Sequence, residues 1–407
     1  MASFIGTLIK RERLKRNYSQ EGLCRGICVV SYLSKIEQGK AEAGADIIRA
    51  LLNRLGISYE TDQNFLKEAG KKIELLYEKL QEGILKQEDF VEIEKEYQRY
   101  LASEYMLDVM LFQKYFAGNE TNEKIEQSEQ ESRKEGISPG TSAQKAEELE
   151  EYLMCMSQRQ YELYLYCTYE EHPHHLELLM KLNPNGYYLN AAGVFYWRKG
   201  EGVKAVEILN RAYQVSCEEG TAENMLLAQI MLGNCYSSME QKELMMKHYM
   251  TAKRLARALQ KTEDLSTISY NIASTLLEWN QVEEALEYFE ECSRKDILYY
   301  HKYAICMERL GEKEKAKKML QKGREAEDSD TCPIYQEMCE VVAYRLEHED
   351  YLNQPAYEKM LRSCMKHMRE QLPRGYEQFH APYLMEVLEH QRKYKEICSL
   401  LKEFPAK

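Results

Sequence analysis

The chain has 407 residues, of which 44% are hydrophobic and 30% charged, and its formal net charge is −12. That length accommodates two or three ordinary domains, or one small domain followed by a solenoid. No apolar run is long enough to span a bilayer, and the first twenty residues are polar and basic with no leader core, which argues against membrane insertion and export. Twelve cysteines are scattered without a C-x-x-C pair, the pattern of reduced thiols in a cytoplasm, so a cytoplasmic protein with no cofactor is expected.

The first 60 residues stand apart from the rest. Ile5, Ile9, Leu23, Ile27, Leu33, Ile36, Ile48, Leu51, Leu52 and Leu55 recur at helical spacings between short polar or glycine-bearing turns, which predicts four or five small helices around one core. Ser19 precedes Gln20-Glu21 with Leu23 close behind, an N-cap signature, and Gly39 is placed to end a helix. Between them the spacing predicts two helices joined by a tight turn at about 26–29, the second running from Val30 to Gln38. Ten Lys or Arg stand against six acids in this segment, a local balance of +4, so the other 347 residues sum to −16. Such asymmetry points to a nucleic-acid contact at the positive end.

The stretches "IGTLIKRERLKRNYSQ", "SYLSKIEQGK" and "ALLNRLGI" occur in the order and at nearly the spacing of a known family, and residues 4–58 resemble the helix-turn-helix domains of phage-repressor and Xre type. The resemblance implies DNA binding, with Gln20 at the DNA backbone or a base edge and Arg13 paired to Glu37. The turn is one residue shorter than the family's, and Val29 and Val30 stand where a serine cap and a polar base-reading residue are usual. Val30 is then expected at a thymine methyl, with Ser31, Tyr32, Lys35 and Lys40 hydrogen-bonding bases or phosphates. Cys24 and Cys28 lie four apart in this domain and read as packing residues.

After Ile57 the pattern is helical almost throughout, so the fold class is all-α: a helix-turn-helix domain over 1–60, then a tetratricopeptide-like α-solenoid over 61–407. Segments 61–116, 145–182 and 335–405 read as degenerate hairpins and a terminal cap. Residues 117–144, rich in Glu, Ser, Gln and Gly, have almost nothing to bury and are expected to form a flexible loop. "SAQK" at 142–145 falls near its end and reads as chance, and "EEHPHH" at 170–175 fits no metal-site spacing. With no phosphate-binding or metalloprotease motif either, no enzyme is expected.

From Tyr187 onward the chain repeats. Gly193 pairs with Ala205, Gly233 with Met245, Ala273 with Ala285 and Ala304 with Ala316, each pair 12 apart. Bulky residues follow three later on the first helix (Tyr196, Tyr236, Leu276, Met307) and four later on the second (Leu209, Tyr249, Phe289, Leu320). Offsets of 40, 40 and 31 describe stacked two-helix hairpins with variable connections, as in tetratricopeptide repeats. In that architecture the first helices line a groove, here through Tyr187, Asn190, Trp197, Arg198, Asn234, Ser237, Tyr270, Ser274, Glu278, His301, Glu308 and Arg309, with Asn271 one step away. Asn190 and Asn234 can grip a peptide backbone with their amides, while Tyr187, Trp197 and Tyr270 can bury its side chains.

An Xre-type domain followed at once by such repeats resembles the cytoplasmic peptide-pheromone regulators of Gram-positive bacteria, the Rgg, PlcR, PrgX and NprR group. The resemblance implies a homodimer held partly through the repeats and a short signalling peptide as ligand. The alternative is a cytoplasmic scaffold that recruits proteins through its groove.

Overall fold

The computed structural model describes residues 4–60, 62–124, 149–326, 332–372 and 374–404, and every regular element among them is helical. They divide into two compact units, with the break between Tyr188 and Leu189.

The first unit begins with α1 (Phe4–Lys15), α2 (Gln20–Cys24), α3 (Val30–Glu37) and α4 (Ala45–Arg54). Leu8, Ile9, Leu23, Leu33, Ile36, Leu51, Leu52 and Leu55 are buried, while Ile5, Ile27 and Ile48 pack partly buried at the edge. The Ser19 hydroxyl caps α2 by accepting from the Gly22 N–H at 2.9 Å. Gly26, at φ +75°, makes the turn into α3. Gly39, at φ +66°, ends α3 one residue before the expected Gln38 boundary, and the Lys40 N–H closes the last turn on the Lys35 carbonyl. A methyl group on Gly6 would lie 2.0 Å from the Ile36 carbonyl oxygen, so only glycine lets α1 approach α3 this closely.

The same apolar core continues without interruption into α5 (Gln63–Glu82), α6 (Val91–Lys95), α7 (Tyr97–Leu101), α8 (Met106–Lys124), α9 (Gln158–Thr168) and α10 (His174–Leu182). Buried Asp108 ties three of these together, accepting from the Tyr77 hydroxyl and the Gln160 amide, both at 2.9 Å. The expected loop starts too early at Ala117. No proline or left-handed glycine stops α8, which runs on through Lys124; the remainder of that loop, and "SAQK" with it, lies outside the described residues.

The second unit takes up the last part of α11 (Gly186–Arg198) and continues as antiparallel pairs: α12 (Gly202–Glu219), α13 (Ala222–Ser238) with α14 (Lys242–Ala258), α15 (Thr262–Glu278) with α16 (Val282–Glu290), and α17 (Ile297–Arg309) with α18 (Lys313–Glu325). Each first helix ends in the same way. Gly200, Glu240, Asn280 and Gly311 all have φ between +60° and +79° and stand seven residues after Gly193, Gly233, Ala273 and Ala304. The next N–H then reaches back to the carbonyl of Tyr196, Tyr236, Leu276 or Met307, at 2.8–3.0 Å. The register found in the sequence is therefore also a register of backbone hydrogen bonds.

The small residues sit where helices touch. A methyl on Gly193 would lie 2.4 Å from Leu209, and one on Gly233 would lie 2.5 Å from the Tyr249 ring. Ala273, Ala285, Ala304 and Ala316 are fully buried. The C-terminal segment forms two further pairs, α19 (Pro333–Glu347) with α20 (Pro355–Gln371) and α21 (Arg374–His390) with α22 (Tyr394–Glu403). Arg392, at φ +59°, repeats the first-helix ending, with the Lys393 N–H on the Leu388 carbonyl at 2.8 Å.

Candidate nucleic-acid interface and inner helix face

The first candidate site is built on one buried carboxylate. Glu37, the last residue of α3, accepts from Arg13 of α1 through both oxygens, Nε at 2.7 Å and Nη2 at 3.0 Å. The same Glu37 accepts from the Gln20 amide at 2.8 Å, and Arg13 also donates to the Tyr18 carbonyl at 2.8 Å. The hydrogen bond that Arg13 donates to Glu37 raises the Arg13 pKa further above its already high value, against the opposing effect of burial. Three helices are fixed to one another by this set, because a planar guanidinium fork admits only a narrow range of carboxylate positions. Gln20 is thereby held by its amide N–H₂ and presents its carbonyl oxygen.

With Glu37 buried, the rest of α3 offers no negative charge to solvent. Ser31 and Lys35 are exposed, as is Lys40 just beyond the helix, and Tyr32 is half-buried with its hydroxyl donating to the Glu42 carbonyl at 3.0 Å. Val29 and Val30 are 68% and 41% exposed at the start of the helix, and Val29 provides no side-chain cap. Arg54 of α4 steadies the turn by donating to the Leu23 carbonyl at 2.9 Å. Cys24 is buried in this core, and burial together with Cys24 raises the pKa of Cys28 away from the thiolate form.

The second candidate site is the face made by the first helices of the pairs. They touch directly: the Trp197 indole donates to Ser238 at 3.4 Å, Asn271 donates to Asn234 at 3.3 Å, and the hydroxyls of Ser237 and Thr275 lie 2.8 Å apart. The Asn234 oxygen also accepts from the Tyr249 hydroxyl at 2.6 Å, while its amide nitrogen points at the Met231 sulfur. That leaves Asn234 with its acceptor committed and its donors facing only a weak partner. Ser274, Glu278 and Tyr270 are half-buried alongside, and Arg198 is exposed.

Other expected groove residues are consumed by packing. Asn190 is fully buried and donates to the Asn224 carbonyl at 2.9 Å, so it ties α11 to α13 and does not line an open face. Tyr187 belongs to the first unit, where its hydroxyl donates to Tyr166 at 3.0 Å and lies 2.9 Å from that of Tyr115. His301 is fully buried against His380 of α21, with ring centres 5.4 Å apart. Glu308 accepts from buried Arg345 at 2.6 and 2.9 Å, and Arg309 donates to the Leu277 carbonyl and, at 3.1 Å, to the Tyr383 hydroxyl. First helices two pairs apart, α17 and α21, are thus in contact, which puts the first helices on the inside of the curve and closes that end of the face. Nothing in the spacing marks His380, Arg345 or Tyr383 for this role, because they lie outside the repeats the sequence displays.

The three histidines of "EEHPHH" crowd ring against ring at 4.4–6.1 Å, and the His175 Nδ1 is within 2.8 Å of the Thr168 hydroxyl. No group of three or more metal-ligating side chains is assembled among the described residues.

Residues 9–61 match the helix-turn-helix family model, and residues 227–259 and 266–294 match that of the tetratricopeptide repeat. The chain carries a helix-turn-helix domain of Xre type and tetratricopeptide repeats. The repeat matches cover most of α13 and α15 and all of α14 and α16, and they end within the fold that the backbone register extends further in both directions. Among solved structures, the chain is similar to that described as a Rap protein complexed with competence and sporulation factor, at 10% identity and a TM-score of 0.61, covering 83% of this chain and 97% of that one. At that identity the likeness concerns the fold. No curated protein matches the chain. No helix among the described residues is long and apolar enough to cross a membrane.

Proposed function

We propose that this chain is a cytoplasmic, DNA-binding transcriptional regulator, with residues 1–60 as the reading domain and the repeats as a sensor for a short signalling peptide and a scaffold for a homodimer. The observation that carries the reading is the buried Arg13–Glu37–Gln20 set, which fixes α1, α2 and α3 while leaving an acid-free, lysine-bearing face on α3. Such a face suits the major groove, where phosphates surround the base edges. The peptide part draws support from the half-buried polar stretch of first-helix face around Trp197, Asn234, Ser237 and Asn271, and from the likeness in fold to a Rap protein described as complexed with competence and sporulation factor.

A peptide lying on that face would touch several helix pairs, and each contact would favour one stacking geometry over another. Because repeats contact mainly their neighbours, small shifts add along the stack. The peptide changes DNA affinity only by its differential affinity for the two arrangements, and DNA must change peptide affinity by the same factor. The test is to map chromosomal sites bound by the chain in its native host, and then to measure affinity for such a site with and without peptides secreted by that host. A small set of discrete sites, with affinity shifted by one peptide, supports the reading. Absence of discrete sites removes the regulator, and discrete sites indifferent to every peptide remove the sensor.

A further inference from the structure

We infer that the helix-turn-helix domain selects its DNA through thymine methyl groups, read by Val29 and Val30, so that its specificity rests on apolar contact at the tip of α3 and not on hydrogen bonding there. This rests on the DNA-reading proposal and names what is read.

Val29 and Val30 are the two residues that open the exposed end of α3, at 68% and 41% exposure, and they are adjacent to each other in a domain whose other aliphatic residues are largely used in its core. Neither has a hydrogen-bonding side chain, and Val29 as N-cap leaves the helix start without a side-chain acceptor. A helix start without a side-chain cap forgoes a stabilising hydrogen bond, so a serine or aspartate here would favour the fold. Exposed β-branched residues at this point therefore bring no folding advantage, and their solvent-facing methyls need another explanation.

The occupant follows from the chemistry of the groove. Each base pair presents donors and acceptors along its major-groove edge, and the one apolar group among the four standard bases is the C5 methyl of thymine. The side chains of Val29 and Val30 hold no polar atom, so the favourable contact either can make with a base edge is to cover such a methyl. The surroundings fit duplex DNA better than an apolar protein surface. Lys35 and Lys40 are exposed along and just beyond the helix, Ser31 follows the valines, and Glu37, the one acid of α3, is buried in its pair with Arg13. Gln20 is anchored through its amide nitrogen to Glu37, at the other end of α3 from the valines, so it takes no part in the apolar contact.

The experiment uses the full chain and two randomised duplex libraries, identical except that one is synthesised with deoxyuridine in place of thymidine. The thymidine library should yield an enriched motif containing thymine at fixed positions, and the deoxyuridine library should yield none or a different one. The enriched duplex remade with deoxyuridine at those positions should bind about fourfold weaker for each methyl removed. The variant carrying Val29→Ser and Val30→Ser should bind the thymine and uracil duplexes equally, while keeping the salt dependence of the parent. Both valines are exposed, so the variant is expected to fold, and unchanged helicity would verify that. Enrichment of the same motif from both libraries, with equal affinity for the thymine and uracil duplexes, would overturn methyl reading while leaving DNA binding in place. Failure of both libraries to yield any motif would overturn the DNA-reading proposal itself.

Discussion

Glu37 serves three donors while nearly excluded from water, which makes it the most exposed point of failure in the reading domain. Removing its main partner leaves a buried carboxylate, and the loss of one member of a buried ion pair costs roughly 3–5 kcal/mol. Arg13→Ala should therefore speed amide hydrogen exchange across 4–55 by orders of magnitude while leaving 227–325 unchanged; equal exchange in parent and variant would show that the pair is incidental. Arg13→Lys should rescue only partly, because an ammonium cannot bond both Glu37 oxygens and the Tyr18 carbonyl in one plane. The pair was readable from the sequence because both residues lie in short stretches with a family resemblance. Gly6 was not, since its role depends on the Ile36 carbonyl thirty residues away, and no local pattern records that approach. Val29 was visible as a departure from the family, but its 68% exposure is a property of the folded tip.

The helix pairs are held at distances set by single residues. Gly233→Ala would place a methyl 2.5 Å from the Tyr249 ring, which is buried and bonded through its hydroxyl to Asn234 and so cannot step aside. Overpacking of this kind costs about 1–3 kcal/mol, and a urea titration should show a lower midpoint for this variant, whereas Gly220→Ala, which meets no neighbouring atom, should fall short of the parent only by the strain of its left-handed backbone.

The contact between α17 and α21 makes a pH prediction. Burial, followed by the charges of Lys302 and Arg345, pushes His380 down to about 3, and burial with His380, Lys302 and Arg345 holds His301 well below its ordinary value. Phe379 and Tyr383 of α21 also face this pair, and Glu308 is engaged by Arg345. Histidines lowered by folding bind protons first in the unfolded chain, so their contribution is present above the unfolded value of about 6.5 and is lost as pH falls below it. The second unit should lose stability from about pH 6.5 downward, with a slope approaching two protons. Replacing both His301 and His380 by Phe should flatten that slope; an unchanged slope would place the titration elsewhere.

Register was legible at this scale and curvature was not. The spacing of small and bulky residues marked the pairs, and the carbonyls that close each first helix belong to those same bulky residues. Whether the inner face is open depends on how far successive pairs rotate, and that is why Asn190 and His301, correctly placed on first helices, turned out to be buried in helix contacts.

For the molecule as a whole, charge is distributed by task. The 1–60 segment carries +4 and the remainder −16, so a polyanion meets attraction at one end of the chain and repulsion along the rest. As a homodimer the chain should protect two half-sites about 10 base pairs apart, or a multiple of that, since one recognition helix covers too few base pairs for useful selectivity. Footprinting that shows a single unrepeated half-site would remove the dimer. The double variant Asn234→Ala with Asn271→Ala should abolish any peptide response while sparing DNA affinity without peptide, because both amides belong to the second unit and the reading helix to the first. The most direct test of DNA reading is the affinity of the full chain for its selected duplex and for a scrambled duplex of equal composition, each across a salt series. Preference for the selected duplex by about a thousandfold or more, with both affinities falling log-linearly as salt rises, is the expected result; equal affinity for the two duplexes at every salt concentration would contradict it.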